Sequence, residues 1–254
     1  MGQDAPAPTA ASLGSATSLA AAIPDGATVA LAPDHSGCAL AVVRALVRRK
    51  ARGLRLIGCP QIGLQADILV GAGCVDTIET AAISLGELGV APAFDRFYRA
   101  GRVRMTESTC PAMHTAMQAA EKGVSFMPVA SVIGSDLIAA RPDWKVVDNP
   151  FGGGPILLVP AIRPDVALFH APKADAAGNV WIGVRRELMV MAHASKQTLV
   201  TVEEIVPGSL LQDEQAAAGT IPALYITQVA EVKGGARPGG LFGDRKSKPA
   251  VLQG

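Results

Sequence analysis

Along the first half of this chain, short apolar runs alternate with helix-length segments joined by single glycines, and few folds accommodate that pattern. Ala27 to Ala32 has the length of a buried strand, and Leu54 to Gly58 is the next one. Between them, Leu40 to Arg49 places Leu40, Val43, Leu46 and Val47 at helical spacing, with basic residues in the last turn and Gly53 beyond. The unit recurs as a helix over Ala93 to Ala100, Gly101, a strand over Val103 to Thr106, a helix over Pro111 to Lys122, Gly123 and a strand over Val124 to Met127. Ser18 to Ile23 reads as the end of a short helix stopped by Pro24-Asp25-Gly26. Strands that are apolar throughout are buried on both faces, and crossover helices bring the chain back to start the next strand in the same direction. The fold class is α/β, an open and mostly parallel sheet with helices on both faces.

The second half is richer in strand, with runs at Lys145 to Val147, Ile156 to Val159, Val166 to His170, Val180 to Ile182 and Thr198 to Val202, and one helix, Arg186 to Ser195. Asp175 and Asn179 bracket a turn-forming stretch and read as turn formers. Gly71-Ala72-Gly73 and Gly152-Gly153-Gly154 read as tight turns, because neither opens a clear helix that would hold a phosphate.

Composition enters through what it excludes. The 254 residues carry 23 Lys+Arg against 22 Asp+Glu, a formal charge of +1, which lacks the basic surplus of a nucleic-acid binder. Apolar residues make up 49% but aromatics only 4%, so the core is built of Ala, Val, Leu and Ile in closely packed layers. The mean hydropathy of +0.31 is high, yet the longest apolar stretches, Ile68 to Val75 and Ile156 to Ile162, fall short of the ~20 residues of a bilayer span. The expectation is a soluble chain whose apolar excess is covered by another chain rather than by lipid. The first basic residue is Arg44, so no secretory leader is expected, and the four dispersed cysteines fit a reducing cytoplasm without a disulfide framework. One domain is expected over residues 18–240, between a loose Ala/Pro/Ser-rich tail at 1–17 and a Gly/basic tail at 241–254.

Six stretches in fixed order resemble the A (alpha) chain of two-subunit family I CoA-transferases, the glutaconate CoA-transferase type. They are Ile23-Pro-Asp-Gly-Ala-Thr-Val-Ala-Leu31, Asp67-Ile-Leu-Val-Gly-Ala-Gly-Cys-Val75, Gly123-Val-Ser-Phe-Met-Pro128, Ile133-Gly-Ser-Asp-Leu137, Val159-Pro-Ala-Ile-Arg-Pro-Asp-Val-Ala-Leu168 and Ala174-Asp-Ala-Ala-Gly-Asn179. The resemblance runs from about Ser18 to about Gly240. It implies the CoA-transferase family I fold and a hetero-oligomer of two A and two B chains. The B subunit would supply a glutamate that attacks the acyl-CoA thioester and then carries CoA as a glutamyl thioester. A desolvated carboxylate splits a difficult exchange into two covalent steps, and a second chain then contributes donors for the oxyanions. The family's nucleophile, a glutamate beside Asn-Gly, is absent from this sequence, so no residue here is assigned as the certain catalyst. The implied substrates are a coenzyme A thioester and a small carboxylic acid, with no permanently bound cofactor and no metal.

Departures from the family pattern mark the candidate substrate-binding residues. Typical A chains have a Gly-Gly loop after the first strand, whereas this chain has Ala32-Pro33-Asp34-His35-Ser36-Gly37-Cys38, which makes His35, Ser36 and Gly37 candidates. Gln61 is another, at the carboxyl end of the second strand, where open α/β sheets bind ligands. Cys110 stands where the family usually has Glu or Gln, and Arg237 where it more often has His. Pro111 suits a first helical position, placing the Cys110 thiol near a helix N-terminus with Glu107 and His114 close by. Cys110 reads either as a substrate-contacting thiol, with Glu107 the other catalytic candidate, or as a small buried cysteine at a helix start. His35, Cys38, Cys59, Cys110 and His114 would all lie near strand ends, but zinc ligands usually come in closer pairs. His170 and His193 read as structural or exposed, and Arg185, Arg186 and Glu187 as a solvated helix start. Two other functions fit the same fold: a ring-opening acyl-CoA hydrolase subunit, and a non-catalytic ligand-binding relative.

Overall fold

The computed structural model describes residues 12–239. Its first half winds β1 (Ser12–Leu13), α1 (Ala16–Ala21), β2 (Thr28–Leu31), α2 (Leu40–Arg48), β3 (Leu54–Gly58), β4 (Gln61–Ile62), α3 (Leu64–Gly71), β5 (Val75–Thr80), β6 (Ala82–Ile83), α4 (Pro92–Arg99), β7 (Arg104–Glu107) and α5 (Cys110–Glu121). There follow β8 (Phe126–Val129), α6 (Leu137–Ala140), β9 (Lys145–Asp148), β10 (Pro155–Pro160), β11 (Val166–Asp175) and β12 (Val180–Trp181). The last elements are α7 (Arg186–Ala194), β13 (Gln197–Val206), α8 (Glu214–Ala217), β14 (Thr220–Ile221) and β15 (Gln228–Glu231). The main sheet runs β1-β15-β13-β11-β2-β3-β5-β7, and every neighbouring pair on that path is parallel.

Alternation along the strands sorts the side chains into two cores. Val29 and Leu31 of β2, Leu54 and Leu56 of β3, and Val166 and Leu168 of β11 face one layer, in which α1, α2, α3 and α4 bury Leu19, Leu40, Leu46, Leu69 and Phe94. Ala30, Ile57, Ala167 and Phe169 face the other, where α5 and α7 contribute Met113, Met117, Leu188 and Met191. The sheet therefore carries helices on both faces, as the apolar runs imply. The apolar stretch Ile68 to Val75 resolves into the end of α3, a turn at Gly73 with φ +71°, and the start of β5.

Two expectations need correction. The segment around Val124 to Met127 does form a strand, but not one of the parallel series: β8, β10 and β9 make a separate antiparallel sheet. Prolines explain the exclusion, because Pro128, Pro155 and Pro160 lack the N–H that a central ladder needs; they sit in edge strand β8 and at the two ends of β10. The chain is also structured before residue 18. Ser15 and Ser18 cap α1 reciprocally, Ser15 Oγ accepting from Ser18 N at 3.1 Å and Ser18 Oγ from Ser15 N at 2.7 Å, and β1 pairs with β15. The remainder of the two expected tails, 1–11 and 240–254, lies outside the described residues.

The turn after β11 forms as its residues suggest and does more. Asp175 Oδ1 accepts from the backbone of Ala177 and Asn179, and Oδ2 accepts from Asn179 Nδ2 and Leu210 N, so a buried carboxylate ties the turn to the chain after β13. Burial pushes this carboxyl up, but those donors outweigh it and hold it below the usual range. A depressed folded value gives stability that is present above the ordinary aspartate range near 4 and lost as pH falls through the folded value. Asp175→Asn is therefore expected to lower the melting temperature near pH 7, and the gap from the unaltered protein should close as pH falls below about 4.

Candidate active site at the carboxyl edge of the sheet

From β2 the chain steps outward through β3, β5 and β7, and from β11 it steps the other way through β13 and β15, so the strand order reverses between β2 and β11. A crevice opens at the carboxyl ends of such a pair. The loop from Ala32 to Ala39 fills this position and is pinned at several points. Buried Gln65 of α3 accepts from Ala39 N at 3.1 Å and donates to Ala32 O at 3.0 Å, holding both ends. Asp34 accepts from Leu64 N at 2.8 Å and so caps α3 from outside, in place of a cap at Gly63. A side chain on Gly63 would bring its Cβ to 2.3 Å from Asp34 Oδ2, so the glycine permits that contact. Burial raises the Asp34 carboxyl despite these donors.

His170 closes the loop from the β11 side, donating its backbone N–H to Gly37 O at 2.9 Å. Its ring is fully buried, 2.8 Å from both Thr201 Oγ1 and Glu203 Oε1. Burial pulls the imidazole down, with Glu203 pushing the other way. In the neutral ring, Nε2 donates to the carboxylate and Nδ1 accepts from the threonine. The other Glu203 oxygen accepts from Gly234 N at 2.8 Å, fastening the turn after β15. Gly235 passes over the imidazole so closely that a Cβ would lie 2.8 Å from it, and its carbonyl accepts from Ala41 N. Beside this knot Glu203, Glu204, Lys233, Gly234 and Arg237 line a cleft of about 390 Å³.

The candidates fall into two groups. His35 is exposed at the rim, Ser36 is buried behind it, and Gly37 is held by His170, so these three share the end of β2; Gln61 is exposed in β4, beyond the end of β3. Cys110 and Glu107 sit together at the end of β7, three strand spacings or about 14 Å from β2. Cys110 is exposed in the first turn of α5, and the cap is Thr109, whose hydroxyl accepts from Ala112 N at 3.3 Å. The thiol is not buried within this chain. Arg141 reaches this end of the crevice, donating to Glu107 O, Glu79 Oε1 and Asp143, with its guanidinium 4.5 Å from the Trp144 ring. Among the described residues, no three His, Cys, Asp or Glu side chains gather as metal ligands.

Sequence reasoning missed Gln65, Glu203 and Glu187. Glu187 is not a solvated helix residue: its Oε1 accepts from Ser36 Oγ across the crevice. Gln65 lies within an apolar helix, where a lone amide gives no sign of its partners. Glu203 follows Thr201 by two residues in one strand, so both face His170, a spacing that becomes informative only once β11 and β13 are known to pair.

An open α/β sheet whose polar crevice lies at its strand-order reversal defines a ligand-handling enzyme domain of the doubly wound class. The chain belongs to the coenzyme A transferase family, whose model matches residues 14–232. It is 31% identical over 226 residues to the A-type subunit of 3-oxoadipate CoA-transferase from Pseudomonas knackmussii, covering 84% of this chain and 76% of that protein. A relative from Archaeoglobus fulgidus is 34% identical over 201 residues, which cover 78% of this chain but only 44% of that protein. The fold also matches the crystal structure of a variant of the decarboxylase AibA/AibB, with a TM-score of 0.79 at 28% identity over 92% of this chain and 87% of that one.

Replacing Gln65 with Leu would leave Ala32 O and Ala39 N buried without partners, and stability should fall by about 3 kcal/mol or more. Urea denaturation of the isolated chain measures this; a loss under about 1 kcal/mol would mean that the loop is held from elsewhere.

Proposed function

We propose that this chain, as one domain that includes β1, is the A-type member of a two-subunit CoA-transferase that moves CoA between an acyl-CoA and a small carboxylic acid. The observation that carries the reading is a crevice built at the reversal of a coenzyme A transferase sheet that holds anchored carboxylates and donors but no Glu-Asn-Gly nucleophile. A partner B subunit would place its glutamate over that crevice. The Pseudomonas relative bears the name of such an A-type chain itself. The exposed apolar side chains support a partner as well. Phe126, Val146, Val147 and Phe151 stand out on the small antiparallel sheet, Phe151 with 97% of its surface free. Four free cysteines fit a reducing cytoplasmic setting.

In this scheme the partner's carboxylate attacks the thioester carbonyl, CoA leaves as thiolate, and the resulting anhydride is reopened by the thiolate to give glutamyl-CoA and the free acid. A second carboxylic acid then reverses the sequence. This chain's part is to seat the acyl group between the β2 loop and Cys110, with the exposed His35, Gln61 and Cys110 as its contacts, while Ser36 and Gly37, both buried, shape the loop from behind rather than touching substrate as their sequence position suggests. Purified alone, the chain should show no CoA transfer, whereas the co-expressed complex should transfer CoA and accumulate a glutamyl-CoA adduct visible by mass spectrometry. Full activity of the isolated chain would end this reading. Cys110→Ala should alter KM or kcat of the complex by about threefold or more without lowering its melting temperature, and unchanged kinetics would reduce Cys110 to packing.

A further inference from the structure

Glu187 lies beside the loop after β2 and the end of β3 and is not used by the scheme above. It comes from the first turn of α7, on the face opposite α2 and α3, and reaches the loop after β2. Ser36 is 2% exposed, so its hydroxyl is shut away from substrate, and its hydrogen bond orients the Glu187 carboxylate. The second carboxylate oxygen accepts from no described residue and is not buried. Glu187 is therefore a half-buried carboxylate with one oxygen anchored and one left without a donor among the described residues.

Among the described residues, none forms an ion pair with Glu187. At the end of β3 the Cys59 thiol is pushed up to about 12, by burial and then by the charge of Glu187, so it stays protonated. Arg141, the buried cation of the crevice, is paired with Glu79 and Asp143, and Arg186, next to Glu187 in the chain, donates to Ala218 O. Toward β7 the crevice adds the exposed Glu107 to its edge. An acyl group that ends in a second carboxylate would meet a fixed like charge there, whereas one that ends in a hydroxyl would donate to the free oxygen.

Resting on the transferase reading, we propose that Glu187, held by Ser36, sets the substrate class: acyl-CoA esters whose acyl chain carries an uncharged hydrogen-bond donor, a hydroxyl above all, in preference to those carrying a second carboxylate. Glu187 acts here as an acceptor and as a fixed charge. The bond-making steps remain with the partner's carboxylate.

The test uses the co-purified complex of this chain with its B subunit, acetate as the acceptor, and two esters of equal carbon count, 5-hydroxyvaleryl-CoA and glutaryl-CoA. The unaltered complex should favour the hydroxy ester in kcat/KM by roughly tenfold or more. Glu187→Gln should shrink that ratio by about tenfold, mainly by improving glutaryl-CoA, while Glu187→Asp keeps the charge and the preference. Ser36→Ala frees the carboxylate and should relax the ratio by a smaller factor, and melting temperatures establish that each variant is folded. A preference for glutaryl-CoA in the unaltered complex, or a ratio that Glu187→Gln leaves unchanged, would overturn the proposal alone. A complex that transfers CoA from neither these nor other esters would overturn the transferase reading and this inference with it.

Discussion

The loop between β2 and α2 is the point on which the site depends, and buried Gln65 holds it. A loop at the strand-order reversal leaves the sheet before a helix can satisfy its backbone, and buried backbone groups without partners are costly. One amide side chain resolves this at both ends by accepting from Ala39 N and donating to Ala32 O. With the ends fixed, the middle is positioned by Asp34 at α3, by the His170 backbone at Gly37 and by Ser36 at Glu187. Side-chain anchors thus hold the segment along its length, with His35 exposed on it.

His170 extends the same logic to the other half of the sheet. Its backbone holds the β2 loop and its ring holds Glu203, whose second oxygen holds the turn after β15. Two loops from distant parts of the chain and strand β13 thus converge on one buried imidazole. A structural reading of this histidine and a role in the site are therefore not opposed: it positions groups that face the crevice without itself facing it.

Legibility in the sequence follows the range of the forces involved. α2, α4, α5, α7 and strands β2, β3, β7 and β11 are readable because local periodicity and glycine stops determine them. α3 and β5 are obscured because both are apolar where they meet, so no period separates them across Ile68 to Val75. The ten-residue lengths of β11 and β13 exceed the runs visible in the sequence, since their second halves are set by pairing with each other, a contact between residues about thirty apart. The site divides in the same way. Element order alone places His35, Ser36, Gly37, Gln61, Glu107 and Cys110 at strand ends. Gln65, Glu187 and Glu203 act through partners distant in sequence and give no local signal.

The antiparallel sheet explains where the apolar excess of the composition goes. The main sheet uses apolar residues on both faces, but β8 and β9 leave theirs in solvent, and α5 is the bridge between the two, giving Met113 and Met117 to one core and Ala112 and Ala116 to the other. α5 also begins at Cys110, and Arg141, which follows α6, reaches back to the ends of β5 and β7. The small sheet is consequently coupled to the β7 end of the crevice through packed side chains and one buried guanidinium. A chain seated on Phe126 and Phe151 would therefore press on the scaffold that carries Glu107 and Cys110, whereas the β2 loop and Glu187 belong to a separately anchored part. The crevice then has two ends with different constraints: one anchored within this chain by Gln65, Asp34, His170 and Ser36, and one whose geometry depends on what covers the small sheet.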